Sequence, residues 1–330
     1  MKKSDLKILI LTDGKIGDLV QCRGVASRLA KPQHISETVV SPGWLTSLPL
    51  PYMPLSAVDR QSALMSTDAD MIIASGRRTV PYLRALKGRR GREIFAVYLK
   101  DPTLHHDIAD LIWAPEHDQL SKPNAISTVT SPHALTAEKL ATARQSAAVR
   151  FNDFPSPNVG VILGGNTKSV SWSQASQQRL MSALQSLPSK TNVLVTASRR
   201  TPKELLGSAQ AALKSYHSNF WADEERDGPN PYLQMLAWCD RLIVTGDSHN
   251  MVSEALVSGS PVHVFRPDDL HKKMHRFLDG LEADGLVRDI QHGFARSTGK
   301  PVDATAEICA EIVRRYDAAA AARRLTDRHG

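Results

Sequence analysis

Short unbroken apolar runs alternate with amphipathic or alanine-rich stretches along almost the whole chain. In the first half, runs of strand length fall at 7–12, 35–40, 71–75, 93–99, 110–114 and 125–129, with helical patterns at 18–29, 79–86 and 136–149. The second half restarts the rhythm, with strands at 158–163, 192–197, 241–245 and 261–265 and helices at 173–187, 202–213, 231–239, 250–258 and 270–283. Strands without polar alternation are buried on both faces, and strands separated by helices pair in parallel. The pattern predicts an α/β protein: two doubly wound Rossmann-like domains facing across a cleft. The polar, proline-containing stretch 151–158 is the expected linker, giving domains at 1–150 and 151–330. A final helix at 304–324 is expected to pack back toward the first domain.

The length of 330 residues suits two domains. With 42% hydrophobic and 23% charged residues, the chain is neither disordered, a coiled coil nor collagen-like. No apolar stretch approaches the length of a membrane-spanning helix. The opening apolar run is short, contains Lys7, and meets Asp13-Gly14-Lys15 without a small-residue cleavage site. It is therefore expected to be the first core strand of a cytoplasmic protein. Cys22, Cys239 and Cys309 have no metal-type spacing, and their odd number predicts reduced, buried thiols.

The formal charge of +7 is unevenly placed. Residues 1–150 hold 20 Lys+Arg against 14 Asp+Glu, a net of +6; residues 151–330 hold 21 against 20, a net of +1. Part of the excess is the cluster Arg84, Lys87, Arg89, Arg90 and Arg92, with Arg77 and Arg78 just upstream. Such a cluster is either a solvated surface or an attractor for an anionic membrane or polyanionic substrate. Aromatic residues are not interleaved with it, which argues against nucleic acid.

Ligands in such sheets bind beyond the carboxyl ends of the strands, so the loops there carry the candidate chemistry. The first, Asp13-Gly14-Lys15-Ile16-Gly17-Asp18-Leu19-Val20-Gln21, opens a helix after the first strand. Its Gly14 and Gly17 allow close backbone approach, but the third glycine of a dinucleotide fingerprint is missing. Asp18 is either a helix cap or a general base, with Asp13 in reserve. The second loop, Gly164-Gly165-Asn166-Thr167-Lys168, suits a diphosphate held by backbone N–H groups and a lysine, or is a plain turn. The third, Ser198-Arg199-Arg200-Thr201-Pro202, is a phosphate clamp or a solvated pair of arginines. The fourth region has Asn230-Pro231-Tyr232 opening one helix and Gly246-Asp247-Ser248-His249-Asn250-Met251 opening another. Glu254 lies one turn after Asn250, where a carboxylate can accept both ribose hydroxyls while Ser248 faces phosphate.

This last region resembles the carboxyl-terminal signature of GT-B glycosyltransferases, in which a Glu ahead of a Gly-x-Pro turn (here Gly259-Ser260-Pro261) holds the donor nucleotide. Taken in order, Asp13-Gly14-Lys15, Gln21, Lys100-Asp101-Pro102, Ala114-Pro115-Glu116-His117-Asp118, Leu163-Gly164-Gly165, Ser198–Pro202, Asn230-Pro231-Tyr232 and Thr245–Ser248 resemble the Elm-type "mitochondrial fission" family. The family usually has Gly-His where this chain has Gly17-Asp18; heptosyltransferases have a similar Gly-Asp turn.

The residues and the resemblance together imply an inverting glycosyltransferase with a nucleotide-sugar donor and a lipid-linked or envelope acceptor. No cofactor and no metal is expected: Asp68-Ala69-Asp70 has metal-motif spacing but precedes a strand. The basic cluster would rest on the inner face of a membrane. The alternatives are a GT-B-like sugar-nucleotide epimerase, which needs no acceptor, and a non-catalytic scaffold at a membrane.

Overall fold

A computed structural model of the chain describes residues 6–40, 55, 62–166, 170–294 and 299–326. The chain divides into two compact units, Met1–Ala134 with Ala304–Gly330, and Leu135–Asp303.

In the first unit β1 (Ile8–Thr12), β2 (Ile35–Val39), β3 (Met71–Ser75), β4 (Phe95–Leu99), β5 (Leu111–Pro115) and β6 (Ala125–Thr128) form one sheet in the order β2-β1-β3-β4-β5-β6. Every pairing is parallel. Strands β1, β3, β4 and β5 are buried along their whole length, which is why their sequences read as unbroken apolar runs. Helices α1 (Ile16–Leu29) and α2 (Val80–Arg90) lead back from the carboxyl edge of this sheet. Asp68 and Asp70 anchor the amino end of β1, through the Lys7 ammonium at 2.5 Å and the Lys7 N–H at 2.9 Å.

The second unit begins with α3 (Ala137–Arg150), ahead of the expected linker. Its sheet has β7 (Asn158–Leu163), β8 (Asn192–Ala197), β9 (Ser218–Trp221), β10 (Arg241–Thr245), β11 (Val262–Phe265) and β12 (Val287–Asp289) in the order β12-β11-β10-β7-β8-β9. These strands too pair in parallel. The edge strands β9 and β12 are additions to the four expected from the pattern. Helices α4 (Gln174–Gln185), α5 (Lys203–Ala212), α6 (Glu224–Asp227), α7 (Tyr232–Trp238), α8 (His249–Val257) and α9 (Lys272–Ala283) complete the unit.

The division falls at 134/135 rather than at 151–158 because α3 packs on α7. Arg150 donates to the Gln234 carboxamide at 2.9 Å, and the Arg144 guanidinium lies over the Trp238 ring. Within 151–158, Phe151 and Phe154 are buried, the Phe151 ring edge-on to Trp221, so this stretch is anchored in the second unit rather than linking the two. The chain then returns to the first unit as α10 (Ala304–Thr326), whose Ile308 and Ile312 join Cys22, Val25 and Leu29 of α1 in one cluster. All three cysteines are free and buried, and burial pushes the Cys22 and Cys239 thiols up.

Each sheet has one point where the strand order reverses: between β1 and β3, and between β7 and β10. At such points neighbouring loops diverge and leave a crevice beyond the carboxyl ends.

Candidate functional site

In the second unit the loop after β7 is closed onto the end of β10 and the loop after it by two bonds, with a third bracing the acceptor side. Gly164 N–H donates to Thr245 Oγ1 at 2.7 Å, Thr245 Oγ1 donates to Asp247 Oδ1 at 2.6 Å, and Gly165 N–H donates to Asp247 Oδ2 at 3.0 Å. A side chain at Gly164 would enter the Asp247 carboxylate, and one at Gly165 would strike the backbone of Arg200 and Thr201. The glycine pair is therefore required by close approach of neighbouring chain. Asp247 turns inward to hold that loop instead of facing outward to a phosphate, and burial raises its pKa. Asn166 continues the same web: its N–H donates to the Arg200 carbonyl at 3.1 Å, and its side chain accepts from Trp172 N–H at 3.2 Å. Lys168 lies outside the described residues.

The loop after β8 is held by Ser198 and Thr201, whose hydroxyls bond each other at 3.1 Å. Thr201 also donates to the Leu163 carbonyl at 3.1 Å. Arg199 and Arg200 are left exposed beside it. A hollow of about 980 Å³ opens at the carboxyl ends of β8 and β9, lined by Ser198, Arg199, Lys203, Trp221, Asp223 and Asn230 among others. Pro202 and Pro231 precede their helices rather than starting them. The Asn230 carboxamide oxygen accepts from Tyr232 N–H at 3.0 Å and from Thr196 Oγ1 at 2.9 Å, so it sets the entry of α7.

That entry places the Tyr232 hydroxyl 2.7 Å from Glu254 Oε2 on α8, the shortest polar contact of either side chain. Burial raises the Glu254 pKa and the Tyr232 hydrogen bond opposes it; burial likewise lifts the Tyr232 phenol. Ser248 is the N-cap of α8, its hydroxyl accepting from Met251 N–H at 3.4 Å, while its own O–H remains a donor. Asn250 and Met251 sit half-buried in the first turn. The β7/β10 crevice thus gathers Gly164, Gly165, Ser248, Asn250 and Met251, with the Tyr232–Glu254 pair one turn further along α8. The pairing of Tyr232 with Glu254 has no sequence signal, because the two lie 22 positions apart.

In the first unit Asp18 does not cap α1. The residue before α1 is Lys15, which makes no side-chain cap, and Asp18 is the third helical residue. Asp18 is 8% exposed, with Oδ1 3.5 Å from Lys100 Nζ and Oδ2 buried without a hydrogen-bond partner. Asp13 pairs with Lys15 at 2.9 Å through Oδ2, while its Oδ1 is likewise buried and unpartnered. Gly76, at φ +96°, presses against Asp13: an added Cβ would lie 2.5 Å from the carboxyl carbon. The buried Tyr98 phenol, bonded to Thr79, is pushed up by burial and then by the fields of Asp18 and Asp13. Two buried carboxylates thus stand beside the carboxyl ends of β1, β3 and β4. Gly14, at φ +84°, makes the turn that brings them there, and Gly17 and Gln21 lie on α1 itself. Among the described residues, no group of three or more His, Cys, Asp or Glu is placed to hold a metal.

The basic cluster is only partly a surface. Lys87 reaches Asp110 at 2.7 Å, and Arg90 donates to the carbonyls of Thr67 and Ala69 at 2.8 and 2.9 Å. Arg84, Arg89 and Arg92 remain exposed. Because α2 runs from the end of β3 back to the start of β4, Arg89 and Arg92 mark the amino edge of the sheet. Asp13 and Asp18 stand at the opposite edge. Among the described residues, no helix is long and apolar enough to cross a membrane.

The fold is that of GT-B enzymes. MurG of Acinetobacter baumannii superposes with a TM-score of 0.50 over 96% of this chain and 94% of its own, at 12% identity. A UDP-GlcNAc 2-epimerase from Neisseria meningitidis, solved with UDP-GlcNAc bound, gives 0.50 over 94% and 93%, at 11% identity. In sequence, the Arabidopsis thaliana "Mitochondrial fission protein ELM1" is 27% identical over 276 residues, 74% of this chain. That match spans 63% of the plant protein's length. An uncharacterized Rickettsia prowazekii protein, RP120, is 26% identical over 86% of this chain and 90% of its own. The family described as "Mitochondrial fission ELM1" matches residues 17–316, which take in the β7/β10 crevice, and the chain belongs to it.

Proposed function

We propose that the protein is an inverting glycosyltransferase that takes a nucleotide-sugar donor and needs no metal. The observation that carries the reading is the β7/β10 crevice, where a glycine pair locked onto Asp247 meets a Ser248-capped helix start and the Glu254 carboxylate. Glu254 keeps one carboxylate oxygen for Tyr232 and offers the other to the ribose hydroxyls. Gly164, Gly165, Lys168, Arg199 and Ser248 receive the diphosphate, and the hollow beside Asn230 takes the base. Asp247 and Asn230 act one step back, by positioning the loop and α7. Cationic side chains and the α8 start offset charge on the departing diphosphate, as a metal would elsewhere. Asp18, its Oδ2 free and its Oδ1 near Lys100, removes the acceptor proton. Arg84, Arg89 and Arg92 meet an anionic membrane surface, and vesicle co-sedimentation of an Arg84→Ser/Arg89→Ser/Arg92→Ser variant tests that part.

Calorimetric titration with UDP, GDP, ADP and CMP, each with and without magnesium, tests the donor site. One of them binds in the micromolar range, independently of magnesium, and Glu254→Ala loses it. Because Glu254→Ala also strips Tyr232 of its partner, Glu254→Gln serves as the second variant. Unchanged affinity in both overturns the assignment of Glu254, and no binding of any nucleotide overturns the transferase. Consumption of a nucleotide sugar without acceptor would replace it with an epimerase.

A further inference from the structure

The carboxyl edge of the first sheet carries more cation than its buried acids need. Asp13 and Asp18 are matched by Lys15 and Lys100, which are themselves half-exposed or more, at 63% and 51% of their side chains. Two further cations, Arg77 and Arg78, follow Gly76 directly in the turn Arg77–Thr79 that opens α2. That turn is pinned against the site: Thr79 Oγ1 donates to the Gly76 carbonyl at 2.8 Å, and Gly76 packs on Asp13 too closely to admit a side chain. Arg77 and Arg78 are exposed, and among the described residues neither makes a hydrogen bond or an ion pair. The nearby Asp101 does not answer them, since its Oδ1 holds Thr103 N–H at 2.7 Å and His106 at 3.1 Å. Lys15, Lys100, Arg77 and Arg78 outnumber the carboxylates of Asp13, Asp18 and Asp101 by one, around two unpartnered, buried carboxylate oxygens.

We infer that this edge binds a phosphate monoester or diphosphate of the acceptor, with Arg77 and Arg78 as its anchors. The inference rests on the transferase reading and names its acceptor class: a hydroxyl to be deprotonated by Asp18, on a molecule that carries phosphate close by. A neutral sugar would leave the arginines without a counter-charge. A phosphate supplies the counter-charge, and a guanidinium pair engages it through charge-assisted, bidentate hydrogen bonds. These arginines are distinct from Arg84, Arg89 and Arg92, which lie further along the chain and toward the opposite edge.

Phenyl phosphate, a phosphomonoester without a nucleoside, is the probe, with phenyl β-glucoside as its neutral counterpart. Calorimetry on the full chain compares the parent, Arg77→Gln/Arg78→Gln, Arg77→Lys/Arg78→Lys and Glu254→Ala. Phenyl phosphate binds the parent and Glu254→Ala alike, loses about tenfold or more in the Gln pair and less in the Lys pair, and outbinds the glucoside. Nucleotide binding is unaltered in the Gln pair. An affinity within about twofold of the parent in the Gln pair overturns the inference, as does a parent that binds no phenyl phosphate. Loss of phenyl phosphate in Arg199→Gln instead places the anion in the second unit and overturns it too. Phenyl phosphate binding that follows this pattern in a protein that binds no nucleotide upholds the phosphate site while removing the transferase reading.

Discussion

The same substitution, glycine to alanine, is expected to have opposite signs at Gly165 and Gly207. At Gly165 the new carbon would lie 2.5 Å from Thr201 N and closer still to the Arg200 carbonyl, where ordinary contact begins at 3.4 Å. The obstruction is backbone on both sides, so the two loops must part by roughly 1 Å, an overpacking that costs about 1–3 kcal/mol. Parting them loosens the Asn166 N–H bond to Arg200 O, at 3.1 Å, and the Gly165 N–H bond to Asp247, at 3.0 Å. Each is worth about 1 kcal/mol net, so Gly165→Ala loses about 3–5 kcal/mol in all. Gly207 sits inside α5 with nothing within 4 Å of an added Cβ. There alanine restricts the unfolded chain and favours the helix, a gain of about 0.5–1 kcal/mol. Urea unfolding at pH 7 reads both, with the slope against denaturant unchanged if only stability moves. Because the Gly165 loop is the proposed diphosphate cradle, nucleotide affinity falls in that variant and is retained in Gly207→Ala. A Gly165→Ala protein within about 1 kcal/mol of the parent, or the same sign at both positions, would refute the closed-loop geometry on which the donor site depends.

Asp18→Asn keeps size and removes the proton acceptor; steady-state kinetics should show turnover lower by about 10²–10⁴ with nucleotide affinity unchanged. Turnover equal to the parent's would transfer the role to Asp13 or away from this loop. Glu254→Gln separates stability from binding. Burial raises the Glu254 pKa in the folded state, so the parent is favoured below the ordinary carboxyl value of 4.5 and loses that contribution as pH rises through the raised value. Glu254→Gln lacks this loss. Relative to the parent it therefore gains thermal stability as pH rises above 4.5 while its nucleotide affinity falls; a pH-independent difference in melting temperature would mean that Glu254 titrates normally.

What the sequence made legible, and what it hid, follows from the range of the interactions involved. The buried strands stood out because burial on both faces leaves no polar alternation: the runs at 158–163, 192–197 and 241–245 are β7, β8 and β10 residue for residue. The edge strands of the second sheet left no such trace, since Ser218–Trp221 is only partly buried and Val287–Asp289 points its middle residue to solvent. Loop positions were legible for the same reason as the core strands, because they begin where those strands stop. The direction each polar side chain takes from its loop was not. Ser, Asn and Asp are short and find their nearest backbone donors first. Hence Asn230 and Ser248 turn to α7 and α8 as caps, and Asp247 turns to Gly165. In the cluster after Gly76, composition counts charge but not reach. Lys87 is removed from the surface by Asp110, a residue 23 positions away that only the parallel pairing of β4 with β5 brings near. The cations left over, Arg77 and Arg78 among them, become visible only when each partner has been accounted for, and it is that remainder rather than the total of +7 that identifies an anion-binding edge.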